Sequence, residues 1–522
     1  VVGLGLLNKF TLRKGEVIMA KYNKRTPGTR TVNLAGGEAF KVTPELEFAA
    51  LCLTTFLKDQ FYRSAAQTHR QMLGLMEQIR DKKFIAQTGI FARNEFGMRS
   101  VTHVIAGELP NLVKNEGWVK HAINKIVRRT DDITEIMAYW FHKNGKHKGG
   151  GTPVPNSLKR GLSMSFDKFD GYQLAKYRAA GKEVSLVDVV NLVRPRPTEK
   201  NADALQALVT DDLRSATTWE AKISAAGQGA KDEKEVAQRK ADAWESLVLS
   251  GKISYFALLR NLRNISEQAD KKVLDAALEL LVDPKRIKGS LVLPFRYLTA
   301  YYTLMEAGVP SRVIGAVSDA VNIALDNVPK FEGETLVILD RSGSMGGGIQ
   351  SLAGKSYYWG RQDKGIGSDP WDIGAMFAAA LARTSNADVL LFSSDGQYVS
   401  INPRSDVFGI IESLERYRDG SGTDFKRMIN KINKPYDRIV ILSDEQGWVG
   451  YKAPTKELAA YKEKYKCSPA IYSFDLQGYG TLMFPERSVY TLAGWSDKAF
   501  DIMKMFGEDP NALINTIKRV QL

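Results

Sequence analysis

Cysteine is scarce: the 522 residues hold only Cys52 and Cys467. Two thiols so far apart, in unrelated contexts, build neither a disulfide framework nor a thiolate zinc site, and a reducing, cytoplasmic setting is the expectation. The five histidines (His69, His103, His121, His142, His147) form no His-Glu-x-x-His pattern, so zinc-hydrolase chemistry finds no motif. No apolar run is long enough to span a bilayer, and no membrane partner is expected. Alternation of apolar and polar residues is missing from about residue 44 to 326, which argues against a half-buried sheet there. With 44% hydrophobic and 25% charged residues, the composition is that of an ordinary globular protein. The length exceeds what one core can hold, so two or more domains are expected.

Excess negative charge is missing from the first part. The net charge is +14. Residues 331–522 carry 23 Lys+Arg against 24 Asp+Glu, leaving 50 against 35 in residues 1–330. All of the surplus base sits in the first part. Solvated helix faces explain many of these charges singly but not the asymmetry, which points to a polyanion, most simply nucleic acid.

The chain divides into three. Residues 1–30 read as a flexible basic arm, its basic, Thr/Gly/Pro-rich character running on to about residue 32. Met19-Ala20-Lys21 has the form of a natural start, and Lys14-Gly15-Glu16 just before it can be spelled by a ribosome-binding sequence of a prokaryotic or phage gene. The start therefore falls at Val1 or Met19, and residues 1–18 are not translated in the second case. N-terminal sequencing of the native protein decides it.

Residues 31–330 read as helix after helix. Pro44 with Glu45 and Glu47 opens one, proline in the first turn and acids near the N-terminus. Apolar residues then recur three and four apart: Leu73, Met76, Ile79; Val119, Ala122, Ile123, Ile126; Ala257, Leu258, Leu262, Ile265. Many short helices without a sheet imply an α-solenoid of helix pairs with degenerate repeats. Lys114, Lys120, Lys125, Arg128, Arg129, Lys143, Lys146, Lys148, Lys159 and Arg160 crowd one stretch, interleaved with Trp118, Tyr139, Trp140 and Phe141. Cations track phosphates, and aromatics either stack on unpaired bases or belong to the core. Lys176, Arg178, Arg194 and Arg196 form a second basic set.

Residues 331–522 alternate strand and helix as a doubly wound, Rossmann-like sheet does, with strands at 336–340, 388–393, 438–443 and 469–475. Helices are expected at 372–384, 405–418, 424–433, 455–465 and near 509–519. Leu336-Val337-Ile338-Leu339 runs into Asp340-Arg341-Ser342-Gly343-Ser344. Ser421-Gly422-Thr423-Asp424 is a loop opening a helix, and Arg438 to Leu442 is a second buried strand, followed by Ser443-Asp444. Open α/β sheets place their sites past the carboxyl ends of such strands. These groups offer only hard oxygens, which suit Mg²⁺ or Mn²⁺ rather than zinc. The plain alternative is that Asp340 and Ser342 cap the next helix. Residues 346–370 hold Lys355, Tyr357, Tyr358, Trp359, Arg361 and Lys364, a surface loop or a partner-binding lid beside the site.

The order Asp-x-Ser-x-Ser, loop Thr, strand-end Asp resembles the metal-ion-dependent adhesion site of von Willebrand factor A domains. That resemblance implies that Ser342, Ser344 and Thr423 hold a divalent ion directly or through water. Asp340 and Asp444 would act mainly through water and hydrogen bonds, with one position open for a partner's carboxylate. Upstream, Asn33 to Phe40, Leu174 to Tyr177 with Asp188 to Leu192, Ala257 to Leu262 and Leu293 to Arg296 resemble the TROVE module of the Ro ribonucleoproteins. The family orders its domains the same way.

The family resemblance implies a monomeric ring of HEAT-like helical pairs closed by the A domain. It implies a small noncoding Y-like RNA on a basic outer surface and single-stranded 3′ ends of misfolded or structured RNAs in a central hole. Recruitment of an exoribonuclease follows by resemblance only. On this reading Lys176, Arg178, Arg194 and Arg196 face outward, while part of the Lys114–Lys148 stretch faces the hole. Arg194 stands where relatives carry histidine. No catalytic residue is expected. The alternatives are a metal-dependent protein-adhesion module, which leaves the basic helical part unexplained, and an RNA hydrolase, for which no His or Lys base is placed beside the metal residues.

Overall fold

The computed structural model describes residues 29–522 apart from 59, 146–152, 180, 215, 217, 229–231, 252, 291, 326–327, 329, 347–368, 487–488, 495–497 and 506–510. Lys146, Lys148 and nearly all of the 346–370 insertion lie outside the described residues.

From α1 (Pro44–Thr54) to α17 (Ser311–Ala324) the described residues form helices and no strand. Local chemistry sets many of the starts. Thr43 accepts from Leu46 N ahead of Pro44, and capping boxes pair Ser64 with Gln67, Asp170 with Gln173 and Ser185 with Asp188. The apolar spacings become buried faces: Val119, Ala122, Ile123 and Ile126 of α5 (Trp118–Ile126) are fully buried. Successive helices pack on one another: α3 (Lys82–Asn94) on α4 (Ser100–Leu112), α13 (Tyr255–Gln268) on α14 (Lys271–Leu281), α16 (Phe295–Glu306) on α17.

The C-terminal unit is a six-stranded sheet in the order β5-β4-β3-β6-β7-β9. Its strands are β3 (Thr335–Asp340), β4 (Asp388–Phe392), β5 (Gly396–Val399), β6 (Arg438–Ser443), β7 (Ala470–Asp475) and β9 (Val489–Ala493). All neighbours are parallel except β5, antiparallel on β4. The chain enters at β3, builds outward through β4 and β5, then returns to the other side of β3 at β6. The order therefore reverses between β3 and β6, where such sheets open a crevice at their carboxyl ends. Helices α18 (Pro370–Ser385), α19 (Val407–Glu415), α20 (Phe425–Asn430), α21 (Thr455–Tyr465), α22 (Lys498–Met505) and α23 (Ala512–Lys518) complete the unit. Strands β5 and β9 and helix α22 are additions to the elements expected from sequence.

One face of the sheet (Val337, Leu339, Val389, Leu391, Val440, Leu442) shares a continuous apolar core with the helical stretch. The other face (Leu336, Ile338, Leu390, Phe392, Ile439, Ile441) packs on Phe425, Met428 and Leu458. Both ends of the helical stretch meet this unit. At one end α1 packs on β9 and α23 packs on α3, with Gln87 Nε2 donating to Lys518 O (2.7 Å) and Val520 O (2.9 Å). At the other end Tyr301 donates to Glu412 (2.7 Å) and lies on Phe408, ring centroids 4.2 Å apart, while Ser318 donates to Asp406 (2.7 Å).

The expected flexible arm ends sooner than its composition suggests. Arg30–Val32 is strand β1, paired with β2 (Glu38–Lys41), which pairs in turn with β8 (Thr481–Leu482) of the C-terminal unit. The turn between β1 and β2 is what holds it. Gly36 takes φ +90°, Gly37 N donates to Asn33 Oδ1 (2.8 Å), and Asn33 Nδ2 donates to Gly447 O (2.7 Å). Gly37 lies so close to Gly447 O that a Cβ would overlap it.

Candidate metal centre and nucleic-acid surfaces

Strand β3 delivers Asp340 to the crevice, 0% exposed. Its Oδ1 accepts from Ser342 N (2.8 Å) and its Oδ2 from Ser443 Oγ (2.6 Å). A short 3-10 turn, Gly343–Met345, carries Ser344 round to face Ser342, hydroxyl to hydroxyl at 3.3 Å. Strand β6 delivers Asp444, also 0% exposed. Its Oδ1 accepts from Gln446 N (3.2 Å), while its Oδ2 has no hydrogen-bond partner among the described residues. Thr423, 1% exposed, is brought alongside by the 420–423 loop. That loop is pinned where Gly343 N donates to Ser421 O (3.1 Å) and where Trp448 and Val449 N–H donate to Thr423 O (3.2 Å each). Gly343 backs onto Gly420 O and Gly422 onto Trp448, each too close for a Cβ.

Among the described residues Ser342 makes no side-chain cap hydrogen bond, and the next described helix, α18, starts behind Asp369. Asp340 is spent on Ser342 and Ser443.

Among the described residues, no Lys, Arg or His lines the crevice above these groups. Burial pushes Asp340 up to about 6, and burial with the adjacent Asp340 pushes Asp444 well above the usual carboxylate range. Glu445, next along, is pushed up to about 8 by burial, and Asp475 at the end of β7 up to about 6. No group of three or more His, Cys, Asp and Glu converges among the described residues; hydroxyls complete the oxygen set. Two buried carboxylates, one with an orphaned oxygen, beside three buried hydroxyls fit a small hard cation, which would supply the missing charge.

Above them lies a cavity of about 420 Å³. Its floor is Ser342, Ser344 and Thr423, and its walls include Ala35, Phe61, Tyr62 and Trp448. Phe61 and Trp448 are 58% and 40% exposed. Sequence reasoning missed these walls. Trp448, four residues past Asp444, was within reach of it; Ala35, Phe61 and Tyr62 arrive from some three hundred residues upstream with no local signal. Phe61 and Tyr62 are fixed there by the neighbouring Arg63, a buried side chain that donates to Gly478 O (3.1 Å) and lies over Tyr479 at 5.2 Å, and Ala35 by the neighbouring Leu34, whose N–H donates to Gln446 Oε1 (2.8 Å). Gln60 Nε2 donates to Gln477 O (2.9 Å).

The basic residues sort by their partners. Arg129 forms a bidentate pair with Asp131 (2.9 and 3.0 Å), Lys143 pairs with buried Glu108, and Arg178 donates to Leu213 O and Asp211. Arg128 donates to Asn94 O (3.3 Å). Lys120, Lys159, Arg160, Lys176, Arg194 and Arg196 form no ion pair among the described residues. Arg194 is exposed in a left-handed turn (φ +47°) that closes α9 (Leu186–Val193).

Of the two readings of the interleaved aromatics, the core one holds: Trp140 is buried, and Trp118, Tyr139 and Phe141 are half-buried against the same core. One expectation is corrected. Arg129 and Lys176, expected on separate surfaces, lie over one ring, Tyr177, at 4.8 and 5.4 Å. The start of α6 (Thr130–Asn144) and the end of α8 (Gly171–Lys176) come together there, which the distance along the chain concealed.

A helical stretch fastened at both ends to an α/β unit, basic on the first part and oxygen-lined at the strand ends, is the class of protein this structure defines. The TROVE domain family model matches residues 58–242 and 212–313, and the chain belongs to the TROVE-domain proteins. RNA-binding protein RO60 of Deinococcus radiodurans is 26% identical over 269 residues, 48% of each chain. Telomerase protein component 1 of Rattus norvegicus is 24% identical over 304 residues, 44% of this chain and 12% of that protein. The match thus spans about half the length of the first relative and far less of the second. The crystal structure of the Deinococcus radiodurans RO (RSR) protein has the same fold, with TM-score 0.55 at 16% identity, over 91% of this chain and 99% of that one. Among the described residues no helix is long and apolar enough to cross a membrane.

Proposed function

We propose that this protein is an RNA-binding scaffold of the Ro class, acting in the quality control or processing of noncoding RNA and carrying no chemistry of its own. The observation that carries this reading is the TROVE match over residues 58–313, which falls in the part holding all of the surplus positive charge. A Y-like RNA lies on the exposed cations Arg160, Arg194 and Arg196 with Lys176, which have no competing carboxylate among the described residues. Single-stranded 3′ ends of misfolded RNA enter a central hole. Attachment of both ends of the helical stretch to the α/β unit supports a closed, monomeric ring. An exoribonuclease is a partner by the same reading, in the cytoplasm.

The α/β unit is on this reading a von Willebrand factor A domain. Ser342, Ser344 and Thr423 hold a Mg²⁺ or Mn²⁺ ion, with Asp340 and Asp444 balancing its charge. When bound, the ion supplies a Lewis-acidic position for a carboxylate, and the exposed Phe61 and Trp448 favour an adhesive role for that position. Hydrolysis is disfavoured because, among the described residues, no His, Lys or carboxylate lines the cavity to act as a base. The test is to sequence RNA co-purifying with the full chain from its native host and to incubate that RNA with the protein and Mg²⁺. Enrichment of small structured RNAs left intact supports the reading; absence of RNA, or its cleavage, contradicts it.

A further inference from the structure

The cavity above the candidate ion is not built by the α/β unit alone. Residues 60–63, just ahead of α2 (Ala65–Gln78), grip the turn past β7. Gln60 Nε2 donates to Gln477 O (2.9 Å) and Gln477 Oε1 (2.8 Å), and Arg63 Nη2 donates to Gly478 O (3.1 Å). Between them Tyr62 N donates to the Tyr479 hydroxyl (3.4 Å). The half-buried Tyr62 ring packs edge-on between Phe61 and Tyr479, with centroids 4.8 and 5.8 Å away. Tyr62 thereby lines one cavity with Ser342, Ser344 and Thr423. A second upstream contact reaches the same centre. Leu34 N donates to Gln446 Oε1 (2.8 Å), and Gln446 N donates to Asp444 Oδ1 (3.2 Å).

A small hard cation takes about six oxygens and keeps part of its water shell. Ser342, Ser344 and Thr423 offer three hydroxyls on the cavity floor. Ser421, also on the lining, is engaged with Asp419 (3.0 Å) and Ser394 (3.0 Å). Tyr62 is the one further side-chain oxygen on the lining among the described residues. Burial and the Asp444 carboxylate push its phenol up to about 12, while a hydrogen bond with Ser344 opposes them. The phenol is therefore neutral at ordinary pH and has a proton to donate. Such a donor suits an oxygen on the outward side of the ion, whether of a water or of a partner's carboxylate. Shape alone would be served by a phenylalanine, as at position 61.

We infer that Tyr62 belongs to the metal centre as a positioning residue: its hydroxyl donates to the oxygen that fills the ion's outward position, so that ion binding fastens the start of the helical stretch to the α/β unit. This rests on the metal reading and goes beyond it, because it makes the centre a product of both parts of the chain.

The test uses the full chain and two readouts: calorimetry with Mn²⁺, and hydrogen exchange at the amides of residues 60–63 with and without Mn²⁺. Tyr62→Phe keeps the ring and its packing and removes only the hydroxyl. It should weaken Mn²⁺ binding about tenfold, as loss of a group that orients a metal's ligands does. Coupling is reciprocal, so these amides in the wild type should exchange about tenfold more slowly at saturating Mn²⁺. That protection should vanish in Tyr62→Phe. A purely structural phenol would change exchange without the ion and leave the effect of Mn²⁺ as it was. Gln60→Ala spares the phenol but loosens its mount, and should weaken Mn²⁺ binding about threefold through the same coupling. Unchanged Mn²⁺ affinity in Tyr62→Phe overturns the inference while the metal reading stands. Lost affinity without Mn²⁺-dependent protection in the wild type overturns the fastening. Failure of the wild type to bind Mn²⁺, or binding that survives Asp340→Ala, overturns the metal reading itself.

Discussion

The two halves of this molecule hold their charge in opposite ways. In the α/β unit, Asp340 and Asp444 are wholly buried at adjacent strand ends, and Asp340 is held by the Ser443 hydroxyl at 2.6 Å. In the helical stretch the surplus is cationic and much of it is exposed, and several of its members are already spent on acids of the same stretch. A buried site is set by a few groups, and each should matter greatly. A surface field is a sum, and each member should matter modestly, in proportion to how unpaired it is.

The largest effect expected from that contrast is at Asp340. Asp340→Ala should weaken divalent-ion binding by the full chain about a hundredfold or more, since breaking up a buried charge constellation costs several kcal/mol. RNA affinity should stay within about twofold, because exposed distant charges are screened. Calorimetry with Mn²⁺ and an RNA titration of the same preparation check both halves. Equal ion binding by variant and wild type would remove the metal assignment.

Next in size is salt. If six phosphates are neutralised, the log–log slope of RNA affinity should be about −4 to −5, depending on strandedness. Combining Lys176→Gln with Arg194→Gln should reduce it by about two on a duplex and less on a single strand. A slope near zero would mean that the basic surplus is not the binding surface.

Smaller still is Arg129→Gln. Arg129 is already paired with Asp131, so its loss should cost less than Arg194→Gln, by a factor of about three or more if a phosphate contact is worth about one unit of slope. Equal losses at Arg129 and Arg194, measured on one hairpin, would show that the Asp131 pair opens on binding.

The site in the α/β unit was largely legible in the sequence because its chemistry is local. Asp340, Ser342 and Ser344 fall within five residues, and Asp444 ends a strand that its β-branched run announces. Strands β3, β6 and β7 fall within a residue of expectation for the same reason. What stayed hidden depends on contacts between distant segments. Strand β8 is two residues long, too short for any periodicity, and exists only because β2 pairs with it. Tyr62 reaches the cavity through Arg63 and Gln60, which grip residues 477–478. Which arginines are free was equally hidden, since Arg178 is taken up by residues 211–213 and Lys143 by Glu108. Charge counts showed the asymmetry, but they could not subtract the pairs.

The smallest effect concerns pH. Burial raises Asp475 to about 6 in the folded chain, against about 3.9 unfolded. The folded state therefore binds its proton more tightly, and this group's contribution to stability is full below about pH 4 and lost as pH rises through about 6. Asp475→Asn keeps an acceptor for Gln477 N and Gly478 N and should flatten that part of the stability–pH curve. Denaturant melts at several pH values read it. An unchanged slope would place the charge of Asp475 in balance with Arg63.

The most direct measurement is fluorescence anisotropy of the full chain with a small hairpin RNA bearing a single-stranded 3′ tail, followed across salt with Mg²⁺ present. The account predicts saturable binding, a steep loss of affinity with salt, weakening in the Lys176→Gln, Arg194→Gln variant but not in Asp340→Ala, and RNA recovered intact. Binding that ignores salt, or that disappears in Asp340→Ala while surviving removal of the helical cations, would contradict it.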